Sequence, residues 1–251
     1  FIDLMGSGRS ALYRDAMLLK SKSLAVQQKY DEALSVLKKL HEAYDDPESR
    51  SVILLRTGSI LEKKSDYIGA VDHYIRVFEV DVKGWQAASA ADLLAALMEK
   101  KPRELNGREK LLFAKALYHG KMYRESIALL SAIKPEPADR AEADTYLVRA
   151  LTRDNATAAV QALIRERSGD PALLKAQGDE FWDMGSKNSA ITAYLQVIQS
   201  GKEPYAQAAL QRTARFLEEN KRAGHEQYLI DYKNKYSDDH AGHFLWLMGR
   251  N

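Results

Sequence analysis

Small and aromatic residues recur at helical spacing along this chain of 251 residues, and this recurrence restricts the fold more than any other feature. The stretch GSILEKKSDYIGAVDHYIRVFEV (residues 58–80) contains two apolar runs separated by the polar residues KKSD. Within each run the apolar residues are three or four positions apart, as on one face of a helix. The stretch therefore predicts two short amphipathic helices joined by a tight turn, which is a helical hairpin.

The same pattern occurs in other parts of the chain. Residues 29–40, 111–133 and 177–198 repeat the order of small, aromatic and apolar positions, and residues 141–167 and 204–236 contain weaker copies. We use the small residue of the second helix to mark each copy. The marks fall at Ala33, Ala70, Ser126 and Ala190, and in the weaker copies near Ala159 and Glu226.

Successive marks are 37, 56, 33, 31 and 36 residues apart. Periods near 34 residues, with small and aromatic residues at fixed positions of each period, are typical of stacked helical hairpins. The pattern resembles the tetratricopeptide repeat family. A single hairpin cannot bury its apolar face, so the stack is the folding unit. The resemblance implies an all-α protein that forms a right-handed superhelix (α-solenoid) of tetratricopeptide-like helical hairpins.

We predict a single helical-repeat domain over residues 1–251. An extra helix at about 85–99 fills the long interval, and an incomplete last hairpin at 240–251 either continues into further chain or caps the stack. The first residue is Phe1, so we expect the chain to be a piece of a longer protein. The complete hairpins are predicted at about 10–46, 50–81, 107–134, 141–167, 171–200 and 204–236.

Composition fits helices and excludes several classes of function. All six prolines fall between the apolar-periodic stretches, where helices start or stop. The 45% of apolar residues rules out a disordered chain, and no apolar run approaches the roughly 18–20 residues that span a bilayer. Basic and acidic residues, 37 and 35 in number, are interleaved and give no focused basic face, so we predict no nucleic-acid partner.

The sequence shows no constellation of catalytic or metal-binding residues. It has no cysteine, no glycine-rich phosphate loop and no HExxH pair, and its six histidines are dispersed. His240 and His243 are three residues apart, but an isolated pair of this kind fits a polar turn better than a metal site. We therefore predict no catalytic residue, no metal and no cofactor within this segment.

Candidate contacts come from the first helix of each hairpin, which lines the concave groove in tetratricopeptide-like arrays. Tyr118 and Trp182 are the candidate anchors for a protein or peptide partner, because an exposed aromatic side chain among charges is typical of recognition. The alternative is that these aromatics pack between hairpins, since large aromatics are mostly buried. The full set of predicted groove residues is Ser59, Glu62, Lys115, Tyr118, Lys175, Asp179, Trp182 and Arg215.

A narrower resemblance involves residues 11–40, 101–130 and 205–251, the last of which ends in HFLWLMGRN. These stretches are similar to the N-terminal helical superhelix of bacterial soluble lytic transglycosylases. In that family the superhelix precedes a lysozyme-like domain that cleaves peptidoglycan. The resemblance implies a periplasmic cell-wall protein in which this segment is a non-catalytic scaffold that contacts other proteins or peptidoglycan.

The family's catalytic glutamate lies in a Glu-Ser motif that is followed by a Gly-Leu-Met-Gln element. This chain has Glu125–Ser126 inside a repeat helix and lacks the second element, so an active site of that kind would lie beyond residue 251. Whether the parent protein is an enzyme is left open. The alternative function is a stand-alone tetratricopeptide adaptor that binds a peptide or a partner helix in its concave groove.

Overall fold

The fold is all-α, as the sequence predicts. The structure, a computed structural model, describes residues 10–133 and 137–219, and within these ranges it contains twelve α-helices and no β-strand. The helices are α1 (Ala11–Val26), α2 (Tyr30–Ala43), α3 (Pro47–Lys63), α4 (Tyr67–Asp81), α5 (Trp85–Lys100), α6 (Gly107–His119), α7 (Tyr123–Ala132), α8 (Pro137–Arg153), α9 (Thr157–Glu166), α10 (Pro171–Asp183), α11 (Lys187–Ser200) and α12 (Tyr205–Glu219).

The chain divides into two compact units, Phe1–Ala150 and Leu151–Asn251, with the boundary inside α8. The predicted single domain stays a prediction, and so does the right-handed sense of the superhelix. Of the predicted hairpin at 204–236, the structure describes α12, and the predicted last hairpin at 240–251 lies outside the described residues. Pairs of consecutive helices joined by short turns form helical hairpins, as in a helical-repeat solenoid.

The same turn joins the two helices of five hairpins. Each turn is three residues long, and its middle residue has a positive φ, between 58° and 80°. The next backbone N–H donates to the carbonyl five residues earlier at 2.8–2.9 Å, which satisfies a carbonyl that the helix end leaves free. The middle residues are Gln28, Ser65, Lys121, Asn155 and Gly185. This recurrence supports a repeat of one hairpin more directly than the sequence spacing does.

Four of the five middle residues carry a side chain in a backbone region that favours glycine. The left-handed conformation costs a non-glycine residue roughly 1–2 kcal/mol, whereas glycine loses about 0.5–1 kcal/mol more chain entropy on folding. Lys121→Gly should therefore raise the free energy of unfolding by about 0.5–1 kcal/mol in urea denaturation. The matched control is Lys110→Gly inside α6, which should lower it by about 1 kcal/mol. A loss of stability in both variants would contradict the assigned turn.

Glycine lets the two helices touch in the hairpins α3/α4 and α10/α11. A Cβ atom on Gly58 would lie 2.6 Å from Cε1 of Tyr74, and one on Gly178 would lie 2.6 Å from Cε1 of Tyr194. Both tyrosine side chains are fully buried. The rings therefore occupy the space that a side chain at the glycine positions would need, and the small residues permit close approach, as the sequence predicts.

Other hairpins fill the same positions with a different pair of residues. Where α3 has Gly58 facing Tyr74, α6 and α7 have Ala114 and Leu130 at the same distances from the turn. Ser126 takes the small position of α7, and its Oγ donates to the carbonyl oxygen of Ala114 at 2.8 Å. In this hairpin a larger residue on the first helix goes with a smaller one on the second, so the packed volume of the pair is close to that of Gly58 and Tyr74.

The small position predicted for one copy of the repeat is off by one residue. The sequence places it near Ala159, but Ala159 is exposed and Val160 is fully buried. Val160 lies three residues after the start of α9, as Ala70 does in α4. A pattern of small residues does not reveal this buried position, because valine fills it in α9. The mark near Glu226 lies outside the described residues.

The extra helix α5 changes the packing in the first unit. It packs against α3 and α4, and α6 then packs against both α4 and α5. The contact between α4 and α6 includes the rings of Phe78 and Phe113, which stack with centroids 6.0 Å apart. Helices α3 and α5 therefore form one row and α4 and α6 the other. A second helix, α4, and a first helix, α6, thus lie side by side.

Candidate functional site

An open groove in the first unit lies between α2, α3 and α4, and we call it the α2–α4 groove. Its volume is about 370 Å³. The apolar lining residues are Leu34, Leu37, Ile53 and Leu54. The polar lining residues are Lys38, His41, Glu42, Thr57, His73 and Arg76.

The α2–α4 groove is positively charged. Its lining includes the exposed cations Lys38 and Arg76 and a single carboxylate, that of Glu42. His41 Nδ1 is buried and has no hydrogen-bond partner among the described residues. Burial lowers the pKa of His41, and the nearby cations Arg76 and Arg50 lower it further, so the local potential disfavours another positive charge.

The hydroxyl of Thr57 and one ring nitrogen of His73 are already occupied. Thr57 Oγ1 donates to the carbonyl of Ile53 at 2.8 Å, and His73 Nδ1 donates to the carbonyl of Gly69 at 2.8 Å. Within the described residues, no hydrogen bond or ion pair involves the side chains of Lys38, Arg76 and Glu42 or the Nδ1 atom of His41. Such an arrangement suits an anionic ligand with an apolar part.

A groove at the same place in the repeat occurs in the second unit, between α9, α10 and α11. Leu34 and Gln161 are each the fifth residue of their helix, and Arg76 and Gln196 are each the tenth. The lining residues are Thr157, Gln161, Gln177, Phe181, Ser189, Thr192, Ala193 and Gln196. None of them is charged. The depression therefore comes from the hairpin packing, whereas the positive charge belongs to the α2–α4 groove.

The predicted groove residues of the first unit lie in different rows. Ser59 and Glu62 are on α3, in the row of α3 and α5, and both are half-buried. Lys115 and Tyr118 are on α6, in the row of α4 and α6. The resemblance to tetratricopeptide repeats predicts that the first helices of the hairpins line one common face. The extra helix α5 instead places the first helix α6 beside α4, so the first helices α3 and α6 lie in different rows. Glu62 accepts a hydrogen bond from the hydroxyl of Tyr74 at 3.0 Å.

Lys115 and Tyr118 are both buried against α8. Lys115 Nζ donates to Glu142 at 2.6 Å and lies 5.4 Å from the ring centroid of Tyr146. The Tyr118 ring lies 5.4 Å from that of Tyr146 and 5.8 Å from that of Tyr123. Tyr118 is 8% exposed, so its placement fits the alternative of packing between helices. A role of Lys115 or Tyr118 in ligand contact stays a prediction.

Lys175 and Asp179 belong to a charged network in the second unit. Asp179 Oδ2 accepts from Lys175 Nζ at 2.7 Å, and Oδ1 accepts from the hydroxyl of Tyr194 at 2.9 Å and from Arg212 at 2.8 Å. Burial raises the pKa of Tyr194, so its hydroxyl stays protonated and donates to the carboxylate. The network joins α10, α11 and α12 through Asp179.

Trp182 is half-buried and packed within the second unit. Lys187 Nζ lies 3.8 Å from the ring centroid and also donates to the backbone carbonyl of Trp182 at 2.8 Å. The rings of Tyr194 and Phe216 have centroids 6.3 Å and 6.0 Å away. Arg215 lies in α12, and its side chain is outside the described part of the structure. Contact of Trp182 and Arg215 with a ligand stays a prediction.

Sequence reasoning missed the α2–α4 groove because it considered only first helices. Two of the three helices that line the groove, α2 and α4, are second helices. The available signal was the placement of His41, His73 and Arg76 on second helices beside apolar residues. In the described ranges, no three side chains of His, Asp or Glu come together as metal ligands would. Among the described helices, none is both long and apolar enough to cross a membrane.

Comparison with known proteins adds little. The sequence matches no protein-family model and no curated protein. One solved structure that it resembles is PilF of Pseudomonas aeruginosa, with a TM-score of 0.33 and 14% identity over 95% of this chain and 97% of that chain. At this level the similarity says nothing about ligand or function. The helices, turns and contacts described above identify the chain as an all-α protein built of tetratricopeptide-like helical hairpins.

Proposed function

We propose that the chain is a non-catalytic helical-repeat scaffold that binds a segment of a partner protein in the α2–α4 groove. The observation that carries this proposal is an open depression of about 370 Å³ with an apolar floor between three helices. Grooves between helices receive extended segments or partner helices through apolar side chains that enter the depression. The tetratricopeptide-like fold suits such contacts because it presents surfaces between successive hairpins.

The first-helix residues are weaker candidates than the groove because their polar atoms have partners within the chain. Lys115 is paired with Glu142, and Asp179 accepts hydrogen bonds from three side chains. A ligand would have to break these interactions before it could use the same atoms. In the α2–α4 groove, Lys38 and Arg76 are exposed and have no hydrogen-bond or ion-pair partner among the described residues.

Site-specific photocrosslinking tests the proposal. A photoreactive residue in place of Leu34, which lines the groove, should give a defined protein adduct in native cells. The same residue in place of Ser35, which is exposed and does not line the groove, should give much less of that adduct. Equal adducts from the two positions, or no protein adduct from Leu34, would count against a partner-binding groove.

The cell-wall assignment is a separate and narrower proposal. Its support is the sequence resemblance to the helical superhelix of soluble lytic transglycosylases, and a periplasmic location is part of it. Sedimentation with purified peptidoglycan sacculi tests it directly. A chain that pellets with sacculi at 150 mM salt, together with glycan-bound rather than protein adducts at Leu34, would favour the cell-wall scaffold. A chain that remains in the supernatant and yields a protein adduct would favour the adaptor.

A further inference from the structure

We propose that the α2–α4 groove selects acidic partner segments, in which a carboxylate stands next to an apolar side chain. This inference rests on the proposed function and specifies the chemistry of the partner. The partner is a protein segment that places its apolar side chain on the floor and its carboxylate against the cationic rim.

The size of the groove fits side chains of an extended segment. Its volume of about 370 Å³ lies at the lower end of the 300–1,000 Å³ that is typical of ligand pockets. Leu34 is half-buried and offers apolar surface to an incoming side chain, above a packed floor of Leu37, Ile53 and Leu54. Only a few side chains fit at one time.

The charge of the groove fits a carboxylate. Arg76 is exposed, and a guanidinium can donate two parallel hydrogen bonds to one carboxylate. The only lining carboxylate is that of Glu42, and Lys38 adds a second exposed cation, an ammonium group. A basic segment would meet repulsion from the same groups.

The second unit provides an internal comparison. The groove between α9, α10 and α11 has the same position in the repeat and no charged lining residue. Arg76 is replaced there by Gln196, and His73 by Ala193. Lys38 corresponds to Arg165, a cation that does not line the second groove. The hairpin packing therefore does not require Arg76 in the α2–α4 groove. Its presence adds a preference for one sign of charge.

A peptide titration of the full chain tests the inference. The probes are two end-blocked peptides with two central leucines, flanked by glutamates in one and by lysines in the other. NMR titration follows the ring protons of His41 and His73, which report on the groove itself. We expect the glutamate peptide to bind at least about tenfold more tightly than the lysine peptide at low salt, and its affinity to fall as salt rises.

Charge reversal supplies matched variants. Arg76→Glu should weaken binding of the glutamate peptide about tenfold or more. Lys39→Glu introduces the same change at an exposed residue of α2 that does not line the groove, and it should change the affinity less than about twofold. Circular dichroism spectra check that both variants fold. Equal affinity for the two peptides, or equal effects of the two substitutions, would overturn the inference.

The outcomes also separate this inference from the proposed function. A protein adduct at Leu34 combined with equal binding of both peptides would refute the acidic preference and leave the partner-binding groove in place. The absence of any groove-specific protein adduct would remove the proposed function. If the glutamate peptide nevertheless bound more tightly than the lysine peptide, the groove would be a positively charged surface that does not bind a protein partner.

Discussion

Gly58→Ala should lower the free energy of unfolding by about 1–3 kcal/mol through overpacking, although alanine is the better helix former by about 1 kcal/mol. The added Cβ would lie 2.6 Å from Cε1 and 2.8 Å from Cδ1 of Tyr74. The ring cannot swing away easily, because the side chain is fully buried and its hydroxyl donates to Glu62 at 3.0 Å. Thermal and urea unfolding measure the loss.

Two further glycines test the cause. Gly178→Ala should show a loss of similar size, because its Cβ would lie 2.6 Å from Cε1 of Tyr194. Gly107→Ala is the control, since nothing lies within 4 Å of its Cβ position at the start of α6. It should leave stability unchanged or raise it slightly. A loss at Gly107 equal to that at Gly58 would show that the effect is not due to the tyrosine ring.

A double variant tests whether the glycine–tyrosine pair of one hairpin can be replaced by the alanine–leucine pair of another. Tyr74→Leu alone should cost about 1–3 kcal/mol, because it leaves a cavity and removes the hydrogen bond to Glu62. Gly58→Ala combined with Tyr74→Leu should cost clearly less than the sum of the two single changes, because it copies the natural pair Ala114 and Leu130. Strictly additive losses would contradict direct contact between the two positions.

Acidification from pH 6.5 to about 4 should lower stability through His119. Burial and the cations Lys83, Arg149 and Lys115 lower its pKa to about 4, and Asp81 opposes them. The unfolded chain takes up the proton near pH 6.5, whereas the folded chain takes it up only near pH 4. The contribution is therefore complete above pH 6.5 and is lost as the pH falls towards 4. Because His119 is only half-buried, solvent screening keeps it well below the roughly 3 kcal/mol that the full shift would give.

His119→Gln isolates this effect from other groups that titrate in the same range. Glutamine does not ionise, and it can still form a hydrogen bond with the Tyr146 hydroxyl, which lies 3.2 Å from His119 Nε2. Free energies of unfolding measured in urea at several pH values should fall more steeply for the wild type than for the variant. Parallel curves for the two proteins between pH 6.5 and 4 would contradict a lowered pKa of His119 in the folded chain.

Much of the fold follows from the sequence because a hairpin is a local structure. The spacing of small and apolar residues depends on neighbours within about three dozen positions, and the extra helix predicted at about 85–99 corresponds to α5 (Trp85–Lys100). The change of row at α5 does not follow from the sequence. Helical periodicity shows which face is apolar, but it does not show which neighbouring helix covers that face.

The candidate site was less predictable because the partners of its charged groups are distant in sequence. Lys115 meets Glu142 at a separation of 27 residues, and Asp179 meets Arg212 at a separation of 33. From the sequence alone, each of these charges could equally have been available to a ligand. The α2–α4 groove escaped prediction for a different reason: the expectation taken from the repeat family concerned first helices.

The single helix α5 exchanges the sides on which the first and second helices of the hairpins lie in the first unit. Every hairpin adds two helices and so keeps the alternation of first and second helices on each side, whereas one helix reverses it. A ligand that lay along one side of this unit would meet second helices before α5 and first helices after it. The two stretches cannot offer the same epitope twice. This geometry suits a partner whose sequence varies along its length better than one that repeats a single motif.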